Sequence, residues 1–221
     1  KLAEAENFIN KMSVPPTDLV WQSLLAACKI HSNLEIARKA ADCLFELESS
    51  NDSAYVLYLN VCASIRRWRD MENVRKQMKS HSIKKKPACS WIKLKKQVTT
   101  FGMGDQYHPQ NAEIYAKLEE LKKMISEAGY LPDTSYSLQD TDEEQKEHIL
   151  WNHSERIALA FGLINSSEGS PLRIFKNLHV CGDCHSVFEM VSQIIGRKII
   201  SKDAYRFHHF RSGKCFCSDY W

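Results

Sequence analysis

Four of the chain's eight cysteines fall in two close pairs near its end, "CGDC" at 181–184 and "CFC" at 215–217, and histidines stand beside both pairs. Thiols so spaced must share a helix turn or a hairpin. No secretory mark is present, so such pairs favour metal binding over disulfides. A metal ion ties together segments that are distant in sequence, and this restricts the folds open to the last third of the chain. Cys28, Cys43, Cys62 and Cys89 stand alone in helical patterns and read as small buried apolar residues.

The chain has 221 residues, 43% hydrophobic and 26% charged, which suits one large or two small globular domains. No run approaches the roughly 20 apolar residues of a membrane span. It opens on "KLAEAENFINKM", inside a helical pattern and without Met, so it is expected to be a piece of a longer protein.

Compared with itself at a shift of 34, the first part aligns Asp18 with Asp52, Trp21 with Tyr55 and Leu25 with Leu59. The same shift aligns Cys28 with Cys62 and Leu44 with Met78. That period is the period of helix–turn–helix solenoid repeats. We expect the last helix of a preceding repeat at 1–14 and two repeats at 15–82, divided at about 48/49. A lysine-rich linker should span 83–95, where Pro87 ends the helices and "SWIKLKKQVTTF" alternates like a strand. Helices then alternate with strands over 86–221, which predicts an α/β or α+β domain. The fold class is therefore α-helical repeats followed by an α/β (α+β) zinc domain.

Net charge is only +3, but it is unevenly spread. Lys84, Lys85, Lys86, Lys93, Lys95 and Lys96 meet no acid, and 197–214 holds six basic residues against Asp203 alone. Interleaved with Trp91, Tyr205, Phe207 and Phe210, these stretches suit single-stranded nucleic acid as well as a solvated surface.

The first constellation is His153, Glu155, Cys181 and Cys184. "HSE" sits where a helix begins, with Asn152 a candidate cap, and the two cysteines open another helix where dipole and amides favour thiolates. The ligand count is three: His153, Cys181 and Cys184. Structural zinc takes four protein ligands, whereas catalytic zinc leaves a position for water. The bound water then needs a local base, and Glu155 is suited to take its proton and return it to a ring nitrogen and leaving ammonia. H-x-E with C-x-x-C is the zinc nucleobase deaminase pattern, with Val180 where that pattern has Pro. Read alone, H-x-E says little, and His153 also fits a core face with Ile149, Ile157 and Phe161.

The second constellation is His185, His208, Cys215 and Cys217. "RFHHFRSGKCFC" reads as a hairpin turning at Ser212-Gly213. A two-residue turn places Cys215, Cys217 and His208 on one side and His209 on the other, and a three-residue loop would exchange the histidines. His185 is the economical fourth ligand and His179 a competing one. The site would be closed and structural, and Cys184 and His185 would serve neighbouring metals.

With these residues assembled, the chain resembles the C-terminal E and DYW region of plant DYW-type pentatricopeptide repeat proteins. The matching motifs are "SWI" (90–92), "HSER" (153–156), "CGDCH" (181–185) and "RFHHF" with "GKCFCSDYW" up to the closing Asp219-Tyr220-Trp221. Departures are Ala88, where the family usually has Gly, and Phe216 between the cysteines. The resemblance implies zinc-dependent cytidine-to-uridine deamination in single-stranded chloroplast or mitochondrial RNA, with no DNA or membrane as target and possible accessory editing proteins. It implies Glu155 as catalytic proton shuttle, one catalytic zinc on His153, Cys181 and Cys184, and one structural zinc on the tail. Target choice would belong to an upstream repeat tract. The competing reading is a non-catalytic zinc module that binds RNA or a partner, which would not need Glu155. A metal-dependent ribonuclease fits less well, because such sites are rich in carboxylates.

Overall fold

The structure is a computed structural model that describes residues 1–47, 52–137, 139–204 and 206–217. Tyr205, the 48/49 repeat boundary and the Asp219-Tyr220-Trp221 tripeptide lie outside the described residues. The chain divides into two compact units that meet in sequence at Lys86 and Pro87.

The first unit is helical: α1 (Leu2–Asn10), α2 (Asp18–Ile30), α3 (Leu34–Leu47), α4 (Asp52–Ser64) and α5 (Trp68–Ser80). Its core is built from one stripe of each helix, including Leu25, Cys28, Leu44, Tyr55, Cys62 and Met78. Of the residues that match at a shift of 34, Cys28 and Cys62 are both buried, as are Leu44 and Met78, whereas Leu25 is completely buried and Leu59 only partly. The turns repeat as well. Ser32 and Arg66 both have positive φ, at 51° and 58°. After α2 the Asn33 amide donates to the Cys28 carbonyl at 3.1 Å, and after α4 the Arg67 amide donates to the Cys62 carbonyl at 2.8 Å. Both closures are Schellman motifs, which satisfy the last carbonyls of each helix with a single left-handed residue. Cys28 and Cys62 are buried as expected, whereas Cys43 and Cys89 are only half-buried, Cys43 because it sits at the margin of the α3 stripe and Cys89 because it begins a strand rather than lying in a helix.

The second unit is α+β with a mixed six-stranded sheet. The strands are β1 (Cys89–Leu94), β2 (Gln97–Gly102), β3 (Leu172–Lys176), β4 (Ile199–Lys202), β5 (Phe207–Arg211) and β6 (Lys214–Cys215), in spatial order β2-β1-β3-β4-β5-β6. Only β3 and β4 run parallel, and α9 (Gly182–Ile194) makes the crossover between them. The remaining helices are α6 (Asn111–Glu127), α7 (Glu143–Trp151) and α8 (Ser154–Ile164). The stretch "SWIKLKKQVTTF" is a hairpin rather than one strand. It reverses at Lys95 (φ 52°), where two lysines interrupt the alternation.

One face of the sheet carries the core. Ile92, Phe101, Leu172, Ile174, Ile199 and Phe210 point into it and are completely buried against α8 and α9. Gly162 lets α8 approach, since a methyl group there would stand 2.6 Å from Ile92 Cδ1. Phe210 therefore belongs to the core and cannot stack on a polyanion. Arg197 is likewise buried, donating to the Ser170 carbonyl from Nε at 2.9 Å.

Candidate active site

A break between α7 and α8 creates the site. Asn152 does not cap α8: its amide donates back to the His148 carbonyl at 2.8 Å and so closes α7, and His153 is the N-cap. Ile149 and His153 thus lie on different helices, which removes the core-histidine reading. Cys181 is the N-cap of α9. Two helix N-termini meet here, each adding partial positive charge that favours thiolate and carboxylate.

His153 Nδ1 lies 3.5 Å from Cys181 Sγ and 3.4 Å from Cys184 Sγ. The ligand atoms of His153, Glu155, Cys181 and Cys184 all fall within 4.8 Å of one another. One imidazole and two thiols at this separation fit a zinc donor set that leaves a position for a non-protein ligand. Burial opposes the Cys184 thiolate, but the hydrogen bond from Cys181 and the Arg156 charge bring its pKa down to about 5. Cys181 is held well above the ordinary thiol value by its hydrogen bond with Cys184 and by burial.

Glu155 is completely buried. Burial alone would push its carboxyl up, but Lys176 and His153 outweigh burial and hold it at about 2. Lys176, the last residue of β3, donates from Nζ to Glu155 Oε1. Ser154 Oγ stands 3.3 Å from Glu155 Oε2 and 2.9 Å from Ser90 Oγ on β1. The carboxylate is therefore charged and fixed on several sides beside the ligand cluster.

Behind the thiols lies a second buried network. Arg156 Nε donates to Cys184 Sγ at 3.2 Å, and its Nη2 donates to Asp183 Oδ2. Asp183 Oδ1 accepts from Tyr130 Oη at 2.6 Å and from the Asp133 amide at 2.9 Å. The Arg156 guanidinium also lies over the Trp151 ring, 4.7 Å from its centroid. Gly182 has room only for hydrogen, because a methyl group would overlap the Tyr136 ring.

The second cluster brings together His185, His208, Cys215 and Cys217, again within 4.8 Å. The hairpin turns through Ser212 (φ 51°) and Gly213 (φ 78°), pairing Phe210 with Cys215. Positive φ at both positions is the geometry that keeps strand twist across a two-residue loop. His208 is buried and His209 lies on the opposite face. His185 Nε2 stands 3.2 Å from Cys217 Sγ, and its Nδ1 faces Glu189 at 3.9 Å. His208 Nε2 lies 3.4 Å from Asp203 Oδ2. A carboxylate within hydrogen-bond reach of His208 is the arrangement that orients a metal-binding histidine. His179 stands outside this cluster, with Nδ1 2.8 Å from the same Asp203 carboxylate.

Sequence reasoning gave no role to Lys176, Arg156, Asp183 or Tyr130. A signal existed for two of them: Arg156 and Asp183 are charged residues in the first turns of α8 and α9, each directly adjacent in sequence to a candidate site residue, Glu155 and Cys184.

Comparison with known proteins adds the following. Residues 129–221 match the DYW family of nucleic acid deaminases, and residues 31–93 match the E motif. A mitochondrial pentatricopeptide repeat-containing protein of Arabidopsis thaliana is 47% identical over all 221 residues, which make up 31% of that relative. A putative pentatricopeptide repeat-containing protein of the same plant is 46% identical over the whole chain and 31% of its own length. A chloroplastic one is 45% identical over 218 residues, 99% of this chain and 29% of the relative. The chain thus spans about a third of the length of these relatives.

Proposed function

We propose, from the match of residues 129–221 to the DYW family of nucleic acid deaminases and of residues 31–93 to the E motif, that the chain deaminates cytidine to uridine in organellar RNA. The observation that carries the proposal is the meeting of a buried, charged Glu155 with His153, Cys181 and Cys184 at two helix N-termini.

Zinc, when bound, supplies Lewis acidity that lowers the pKa of water toward neutrality. His153, Cys181 and Cys184 would hold it, and the two thiolates would offset its charge. Glu155 accepts one proton of the attacking water and gives it to the ring nitrogen, then carries the remaining hydroxyl proton to the amino group, which leaves as ammonia as the ring carbonyl forms. Lys176 keeps the carboxylate charged and therefore able to act as a base. Arg156 supports Cys184, and through Asp183 it ties the ligand helix to the segment around Tyr130. His185, His208, Cys215 and Cys217 would hold a second, structural zinc that ties the closing hairpin to α9.

The substrate is single-stranded RNA, because the base must be presented to the site unpaired. In this reading α2–α3 and α4–α5 are two extension repeats, 15–48 and 49–82, after a leading helix at 1–14. Residues 83–95 link them to the deaminase domain of 86–221. An upstream pentatricopeptide tract chooses the edited cytidine, with possible help from accessory proteins. The names of the relatives, mitochondrial in one case and chloroplastic in another, support an organelle as the place of action. A non-catalytic module would have no use for a buried carboxylate whose desolvation must be offset by a buried lysine.

The test is Glu155→Ala with the upstream tract attached. Editing of a cognate site should vanish while zinc content stays, and intact editing would overturn the enzyme reading.

A further inference from the structure

The sheet has a second face. The helices packed on it, α8 and α9, lie on the side of Ile92, Leu172 and Phe210, so alternation turns the other residues of each strand away from the core. Among the described residues no strand contains an Asp or Glu, and this outer face carries Lys93, Arg173, Lys202, Arg211 and Lys214.

Aromatic rings alternate with these cations. Trp91 and Phe175 are directly paired on β1 and β3, with centroids 5.9 Å apart and planes 9° apart. Phe175 is paired with Lys202, and Lys202 with Phe207, so aromatic and basic side chains form one row across four strands. Phe207 is 57% exposed, so its ring is accessible to a stacking partner. A shallow cavity of about 300 Å³ opens there, bounded by Arg173, Phe175, Lys202, Phe207 and His209. A flat row of rings flanked by cations is the recipe for binding single-stranded nucleic acid without sequence preference: bases stack and phosphates are neutralised.

We propose that this outer sheet face is a second RNA-contacting surface, which holds the strand flanking the edited base by stacking on Trp91, Phe175 and Phe207 and by phosphate contacts to Arg173 and Lys202. It rests on the reading that RNA is the substrate, but it concerns a surface on the opposite side of the sheet from the helices that carry Glu155 and the thiols. Charge complementarity selects a polyanion, and the paired rings select one that has bases.

The experiment measures binding of the whole chain to a fluorescein-labelled 20-nucleotide oligouridine by anisotropy at several salt concentrations. With no cytidine present, binding is read independently of chemistry. Phe207→Ala should raise Kd at least about fivefold, the lower end for loss of one stacked base. Arg173→Glu with Lys202→Glu should raise it more than tenfold and flatten the salt slope by about 1.4, at about 0.7 per lost phosphate contact. Both changes are at the surface, and unchanged thermal melts confirm folding. The proposal fails if these variants bind as the parent does, if the chain does not bind oligouridine, or if a polyglutamate peptide binds as tightly. It fails also if only Lys84→Gln, Lys85→Gln and Lys86→Gln together abolish binding. Deamination by the tract-bearing protein is scored separately, so loss of the enzyme reading would leave these outcomes readable.

Discussion

Lys176 and Glu155 form an ion pair in which the carboxylate is completely buried and the ammonium almost so. Neither can be solvated, so each depends on the other. A buried pair of this kind adds little net stability against an apolar replacement, but removing one partner strands the other charge.

Lys176→Met should therefore destabilise the second unit by about 3–5 kcal/mol in urea unfolding. Adding Glu155→Gln should recover a large part of that loss, because the stranded charge disappears. Additive losses in this double-mutant cycle would refute the mutual dependence.

The Arg156–Asp183 pair makes a different prediction. Asp183→Asn keeps shape and the acceptor oxygen but removes the charge opposite a fully buried guanidinium. A loss of about 2–4 kcal/mol is expected. Tyr130→Phe, which removes a donor to the buried Asp183 carboxylate, should cost about 1.5–3 kcal/mol.

At Gly182, substitution by Ala should displace the Tyr136 ring and destabilise by about 1–3 kcal/mol, the ordinary range for overpacking. Gly102→Ala is the control: open space surrounds its added methyl group and its φ is not positive. Thermal melts of the two variants should differ by several degrees.

Metal content should be two zinc ions per folded chain by elemental analysis. Cys217→Ser should lower the count by one and depress thermal stability, since a four-ligand site contributes folding energy directly. Cys181→Ser should lower the count by one as well, with a smaller effect on the melt. One zinc in well-folded parent protein would remove the two-centre arrangement.

Part of each cluster was legible because its members come in short spacings. Cys181 and Cys184 share one helix turn, and His208 and Cys215 share one hairpin. Sequence also revealed the alternation of β1 and the 34-residue shift that sets Cys28 beside Cys62 in kind. Lys176 was not legible: it ends an apolar strand 21 residues after Glu155, and only the placement of β3 beneath α8 brings them together. The role of Asn152 was misread because local capping preference cannot show that a previous helix will claim its amide. Phe210 and Phe207 look alike in sequence, and strand register alone sends one into the core and the other to solvent.

One peptide bond separates Cys184 of the first cluster from His185 of the second. With both ions bound, the first turn of α9 would be gripped from two sides, and thermodynamic reciprocity would follow. Whatever factor a metal on the tail adds to affinity at the thiol pair, a metal at the thiol pair must add to affinity on the tail. Zinc scarcity would then be felt as a joint threshold rather than as two separate losses, with occupancy of the chain end reporting on the readiness of Glu155's neighbours.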